Sequence, residues 1–208
     1  MTNRNYAILG LISPILFGAT YFIMANQRPE YSFLYKLVSE LGSLDAPNKW
    51  TWNILGYIIP GILISMYSIG LYKSMAEKKS SKLPLIGIFL TGFFLMFSGV
   101  FPADLDNRSS ITTIFHMIGS YGSYLSFLIG TFTYSKLMKD NNYWKSSNVT
   151  LLIFVWLTIA SGTWSWFFPN IPSVGQRVNF FFVFAWIAYT AVKLYRLPKE
   201  NPIPNKLN

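Results

Sequence analysis

Residues Leu83–Phe101 read LPLIGIFLTGFFLMFSGVF, nineteen positions without a charge. At about 1.5 Å per residue, a helix of that length covers close to the 30 Å of a bilayer's hydrocarbon core. Its flanks differ in sign, with Lys78, Lys79 and Lys82 before it and Asp104 and Asp106 after it. Five further runs share its character, so the set is Tyr6–Ala25, Trp52–Tyr72, Leu83–Phe101, Ile111–Leu137, Val149–Phe168 and Phe180–Leu197. The expectation is an all-α integral membrane bundle of six transmembrane helices over residues 1–198. A short cytoplasmic tail, 199–208, follows it.

Charge alternates between the connections. The odd stretches, counted from the N-terminus, hold Arg4; Lys73, Lys78, Lys79, Lys82; Lys136, Lys139, Lys145; and Lys193, Arg196, Lys199, Lys206. These twelve cations face only Glu77, Asp140 and Glu200. The even stretches hold Arg28, Lys36, Lys49, Arg108 and Arg177, matched by Glu30, Glu40, Asp45, Asp104 and Asp106. The positive-inside rule then places both termini in the cytoplasm and the protein in the cell membrane.

Composition excludes several classes. A mean hydropathy of +0.35 with 12% charged residues does not describe a disordered chain and disfavours a soluble globule. The net charge of +9 sits at cytoplasmic helix ends, where it sets topology, so nucleic acid is not an expected partner. With no cysteine and one histidine there is no zinc site of the usual kind, and no metal or cofactor is expected. The first apolar run exceeds the 7–15 residues of a signal-peptide core. Asn26–Gln27 is also a poor cleavage context, so the run reads as a retained helix.

The longest connection places Leu34, Leu37, Val38 and Leu41 at i, i+3, i+4, i+7. That spacing predicts a short amphipathic helix over Tyr31–Leu41 on the outer interface, stopped by Gly42. Trp50, Trp52, Trp164 and Trp166 mark membrane boundaries. Pro14 and Pro60–Gly61 should bend their helices. Gly122, Ser126 and Gly130, four apart, predict a face buried against a neighbouring helix.

Four outer elements carry the unusual chemistry: Ser39-Glu40-Leu41-Gly42 with Pro47-Asn48, Phe101-Pro102-Ala103-Asp104, His116, and Gly175-Gln176-Arg177 just before the last helix. His116 lies inside a spanning run, where ionisable groups face protein or a water cavity. Thr112, Ser120 and Ser123 share its helix face. It reads as a general acid/base or ligand contact, or as a histidine satisfied by Ser120 or Asp104. Asp104 can orient His116, neutralise Arg177 or cap a turn. Arg177 can clamp a phosphate or carboxylate, or sit in an ion pair. Ser39 and Glu40 supply a hydroxyl and a carboxylate, or terminate the interfacial helix. The catalytic candidates are therefore Ser39, Asp104 and His116, and the ligand-binding candidates are Glu40, Ser120 and Arg177. Asp104, His116 and Arg177 are expected to form one cluster.

In their order and placement, Ser39-x-Leu41-Gly42 with Pro47, Phe101-Pro102-x-Asp104, His116 and Gly175-x-Arg177 give a chain that resembles, over nearly its whole length, a prokaryotic six-helix family, domain of unknown function 998. The serine–glycine–proline element is also distantly similar to the Frag1/DRAM/Sfk1 membrane proteins, which are associated with lipid and membrane-stress functions. The first resemblance implies the fold and the location of a site, and brings no established activity.

The leading functional expectation is recognition or handling of a lipid or other amphiphile at an outer polar pocket. The alternatives are an intramembrane hydrolase or acid/base enzyme acting on a lipid-like substrate, and a structural or signalling subunit, with a homo-oligomer also open. Transport is disfavoured, because no charge lies at mid-membrane and no paired broken helices are evident. The topology has a direct check. Cysteines introduced at Ser80 and Asn107 should label from opposite sides of the membrane, with Asn107 reached from outside.

Overall fold

Hydrocarbon offers a backbone no water, so a spanning segment must pair its N–H and C=O groups within itself. The apolar runs are accordingly helical in the computed structural model, which describes residues 1–77 and 79–198. Lys78 and the expected tail, with Lys199, Glu200 and Lys206, lie outside the described residues. The six long helices are α1 (Asn3–Asn26), α2 (Lys49–Lys73), α3 (Leu83–Val100), α4 (Ile111–Asp140), α5 (Asn148–Gly162) and α6 (Pro172–Tyr195). No strand occurs among the described residues. The protein is a helical membrane bundle.

Length and composition suit α1, α2, α3 and α6 to crossing a bilayer. Helix α4 is long, with 30 residues, but carries His116 and a series of serines and threonines. Helix α5 stops at Gly162, and a one-turn helix, Trp164–Phe167, follows it past Thr163. Local signals set the starts. The Thr2 hydroxyl accepts from Asn5 N–H and the Ser110 hydroxyl from Thr113 N–H, both at 3.3 Å, while Pro84 and Pro172 occupy first turns, where a missing N–H costs nothing.

Small residues decide the packing. A methyl group on Gly87 would fall on the backbone of Gly130, and one on Gly119 on the backbone of Ser98. Helices α3 and α4 thus lie backbone to backbone, and the predicted Gly122–Ser126–Gly130 face is the one that meets α3. The disturbance expected around Pro60 takes the form of a π turn, Asn53–Ile58, immediately upstream. Ser13 of α1 donates to the Pro60 carbonyl at 3.2 Å. At the end that carries the termini, Tyr143 donates to the Lys193 carbonyl at 2.8 Å and Arg4 lies over the Tyr195 ring. At the opposite end, Leu44 N–H bonds the Ala103 carbonyl at 2.8 Å, joining the first and second connections of that end's loop layer.

Two elements differ from the sequence reading. The short outer helix is a five-residue 3-10 turn, Val38–Gly42, and not an eleven-residue amphipathic helix. Its backbone has other partners: Ser173 donates to Leu34 O, Arg177 to Lys36 O, and Val38 N–H to Gln176 Oε1. Side chains of α6 take the groups an α-helix would have used. Leu34 is left exposed, while Val38 and Leu41 are buried. Second, α6 begins at Pro172, so Gly175-Gln176-Arg177 lies inside its opening turns and not before it.

The α3–α4 contact leaves no room for a side chain. Gly87→Val should cost about 1–3 kcal/mol through overpacking. A thermal melt in detergent reads this as a lowered Tm against wild type.

Candidate functional site

Two polar centres and one groove occupy the end of the bundle opposite the termini. The first centre joins α3 to α4. His116 Nδ1 lies 2.9 Å from the Ser98 carbonyl and 3.1 Å from the Phe101 carbonyl. Carbonyl oxygens only accept, so Nδ1 carries the proton, and in the neutral ring Nε2 keeps the lone pair. Nε2 has no protein hydrogen bond among the described residues. The Ser98 hydroxyl completes the centre, at 3.2 Å from His116 Nδ1 and 3.0 Å from Ser120 Oγ. The Tyr57 ring flanks the imidazole at 6.2 Å between centroids.

This geometry gives the polar stripe a structural use. Ser120 bonds Ser98, and Ser123 donates to the Thr91 carbonyl at 2.9 Å. Both hydroxyls hold α4 to α3. The Ser98 hydroxyl meets the protonated nitrogen of His116, so the serine adjacent to the ring is not aligned with its base atom.

The second centre is Arg177, one turn and a half into α6. Its Nε donates to Tyr21 Oη at 2.6 Å, Nη1 to the Ser173 carbonyl at 2.8 Å, and Nη2 to Tyr31 Oη at 2.9 Å and the Lys36 carbonyl at 2.5 Å. The rings of Tyr21, Tyr31 and Phe33 surround the guanidinium, each 5.6–5.9 Å from Cζ. Arg177 thereby ties α6 to α1 and to the first loop. Every partner is neutral, and its charge meets no carboxylate among the described residues. Burial pushes the Tyr31 phenol up, with the Arg177 charge opposing it, so Tyr31 stays protonated and donates to the Leu37 carbonyl.

Arg177 also stands at the mouth of a groove of about 450 Å³ between α1 and α6. Pro14, Phe17, Gly18 and Tyr21 form one wall, and Phe180, Phe184 and Ala188 of α6 the other. The space beside Gly18 is open: a methyl group there would meet nothing within 4 Å.

The sequence candidates do not gather into one site. Asp104 is not joined to His116 or Arg177: its Oδ1 accepts from Asp106 and Asn107 N–H at 3.1 and 3.0 Å, a turn-capping role, and its backbone N–H bonds Thr113 Oγ1. The short acidic side chain finds nearer donors in its own loop than across the bundle. Glu40 accepts from Leu37 N–H at 2.8 Å and pairs with Lys36 at 3.2 Å. Ser39 occupies the same 3-10 turn, and its hydroxyl has no partner among the described residues. The expected bidentate clamp on Arg177 is taken up by the protein, since four of its N–H groups are already used. The groove residues escaped the motif reading. Their signal was present: 14, 17, 18 and 21 in α1, and 177, 180, 181, 184 and 188 in α6, follow the 3–4 spacing of one helix face.

Fold and site together define a multi-pass helical membrane protein. The chain belongs to the family described as Protein of unknown function (DUF998), whose model matches residues 11–193. That span includes all or most of every long helix, in agreement with the resemblance carried by the motifs. Neither the curated proteins nor the solved structures contain a match, and the more distant Frag1/DRAM/Sfk1 similarity has no support.

Replacing His116 tests the α3–α4 centre. His116→Ala deprives the Ser98 and Phe101 carbonyls of their donor and should destabilise the bundle by about 1–3 kcal/mol. The measurement is thermal or denaturant unfolding, with membrane insertion unchanged.

Proposed function

We propose that the protein binds a lipid or other amphiphile in the groove between α1 and α6, with the polar head at Arg177 and the chain running toward Pro14 and Ala188. One observation carries the reading: a guanidinium without an acidic partner stands at the mouth of an apolar groove of about 450 Å³. A buried or half-buried charge attracts an opposite charge strongly when the surroundings are apolar. An apolar channel ending in a single polar contact is the shape of an amphiphile site. Charge asymmetry between the connections supports a cell-membrane location with cytoplasmic termini. In that orientation Arg177 belongs to the outer face, and the head is read from the outer leaflet.

A second reading, an intramembrane acid/base enzyme on a lipid-like substrate, draws on the unpartnered His116 Nε2. Its lone pair is presented by backbone carbonyls that fix the tautomer.

Gly18→Leu separates binding from folding. The new side chain enters open space and replaces a helix-interior glycine, which should leave stability unchanged or raise it by about 0.5–1 kcal/mol. Native mass spectrometry should find an amphiphile on the wild type and not on this variant. Equal retention by both would remove the groove reading. Turnover of a lipid ester by wild type, lost in His116→Gln, would move the assignment to the enzyme.

A further inference from the structure

We infer that the groove's occupant is a long-chain free fatty acid, a single hydrocarbon chain ending in a carboxylate; this rests on the amphiphile reading above. Length comes first. Eleven residues of α6 separate Arg177 from Ala188, about 16 Å at 1.5 Å per residue. That is about half of a 30 Å hydrocarbon core, the depth of one leaflet. The groove, about 450 Å³ and almost wholly apolar in its lining, can take one hydrocarbon chain laid along that length.

The capacity of the mouth sets the head. A guanidinium has five N–H groups. Tyr21, Ser173, Tyr31 and Lys36 take four of them, which leaves one Nη1 N–H. The Tyr21 hydroxyl accepts from Nε at the same mouth and can turn its own hydrogen toward a bound oxygen. One charge and two donors match the two oxygens of a carboxylate. A phosphodiester brings more acceptors and a second ester arm. Val38 also lines the groove, and its N–H is already held by Gln176 Oε1 at 2.7 Å, so it offers no further donor to such a head. The other cations of the loop add nothing, because Arg28 pairs with Glu30 at 2.8 Å and Lys36 with Glu40 at 3.2 Å. A neutral head would leave the Arg177 charge uncompensated.

The test measures binding to purified, delipidated protein in neutral detergent. The four probes are palmitate, 1-monopalmitoylglycerol, palmitoyl lysophosphatidylcholine and dipalmitoylphosphatidylglycerol. Palmitate should bind at least about tenfold more tightly than each of the others. Gly18→Leu should abolish its binding at unchanged Tm, and Tyr21→Phe should weaken palmitate several-fold more than it weakens the monoglyceride. Arg177→Gln should level palmitate with the monoglyceride, and Arg177→Lys keeps the comparison usable if the glutamine variant does not fold. Equal binding of palmitate and the monoglyceride overturns the carboxylate assignment while keeping the groove as an amphiphile site. Preference for the two-chain lipid overturns the single-chain assignment in the same way. Binding of none of the four, or palmitate binding that survives in Gly18→Leu, overturns both this inference and the groove reading.

Discussion

The absence of hydrogen-bonding solvent in the bilayer governs this molecule. Polar groups placed in a spanning helix gain by finding partners inside the protein, and the partners found here define the architecture. The hydroxyls of α4 turn to α3, where Ser123 reaches the Thr91 carbonyl and Ser120 the Ser98 hydroxyl. Tyr67 bonds Thr190 at 2.8 Å across α2 and α6. Ser13 meets the Pro60 carbonyl beside the π turn of α2. These bonds are possible because glycines bring the helices close. The methyl-free surfaces of Gly87, Gly119 and Gly130 let α3 and α4 approach until their backbones touch.

The same constraint explains the loop layer around Arg177. A guanidinium at the membrane boundary is expensive unless its N–H groups are met. Two tyrosine hydroxyls and two carbonyls meet four of them, and three aromatic rings face the charge. Hydrogen bonds to neutral partners satisfy donors without cancelling charge. The result is a well-anchored cation whose field is open to the groove beside it. Anchoring therefore leaves the charge of Arg177 without a carboxylate partner among the described residues.

Membership of the DUF998 family fixes what kind of molecule this is and brings no activity with it. The motifs that carried the resemblance divide by physical role. Ser39-x-Leu41-Gly42 forms the 3-10 turn on which α2 docks, with no room at Gly42 for a side chain against Asn53 and Trp52. Asp104 shapes the turn before α4, His116 staples α4 to the end of α3, and Arg177 secures the first loop. Each builds the loop layer, and the groove is the space that this layer overhangs.

Much of the fold was legible in the residues. A run such as Leu83–Phe101 has no alternative to a spanning helix, because its apolar length and lack of charge decide the matter locally. The start of α4 behind Ser110 and its small-residue face follow from equally local rules, whereas the start of α6 at Pro172, ahead of its apolar run, was not read from them. Distances across the bundle were not legible. Sequence placed Asp104, His116 and Arg177 at one end of the molecule, yet it holds no information about which donors lie nearest each group once the helices pack. Asp104 satisfied itself within its loop, His116 found backbone carbonyls, and Arg177 found tyrosines from two other elements. The 3-10 turn at Val38–Gly42 and the groove beside Gly18 have the same origin. Composition and period thus determined the helices, the membrane and the end of the bundle that carries polar chemistry. Only tertiary structure decided which polar groups meet and where space remains, because pairing and packing depend on distances between residues far apart in the chain.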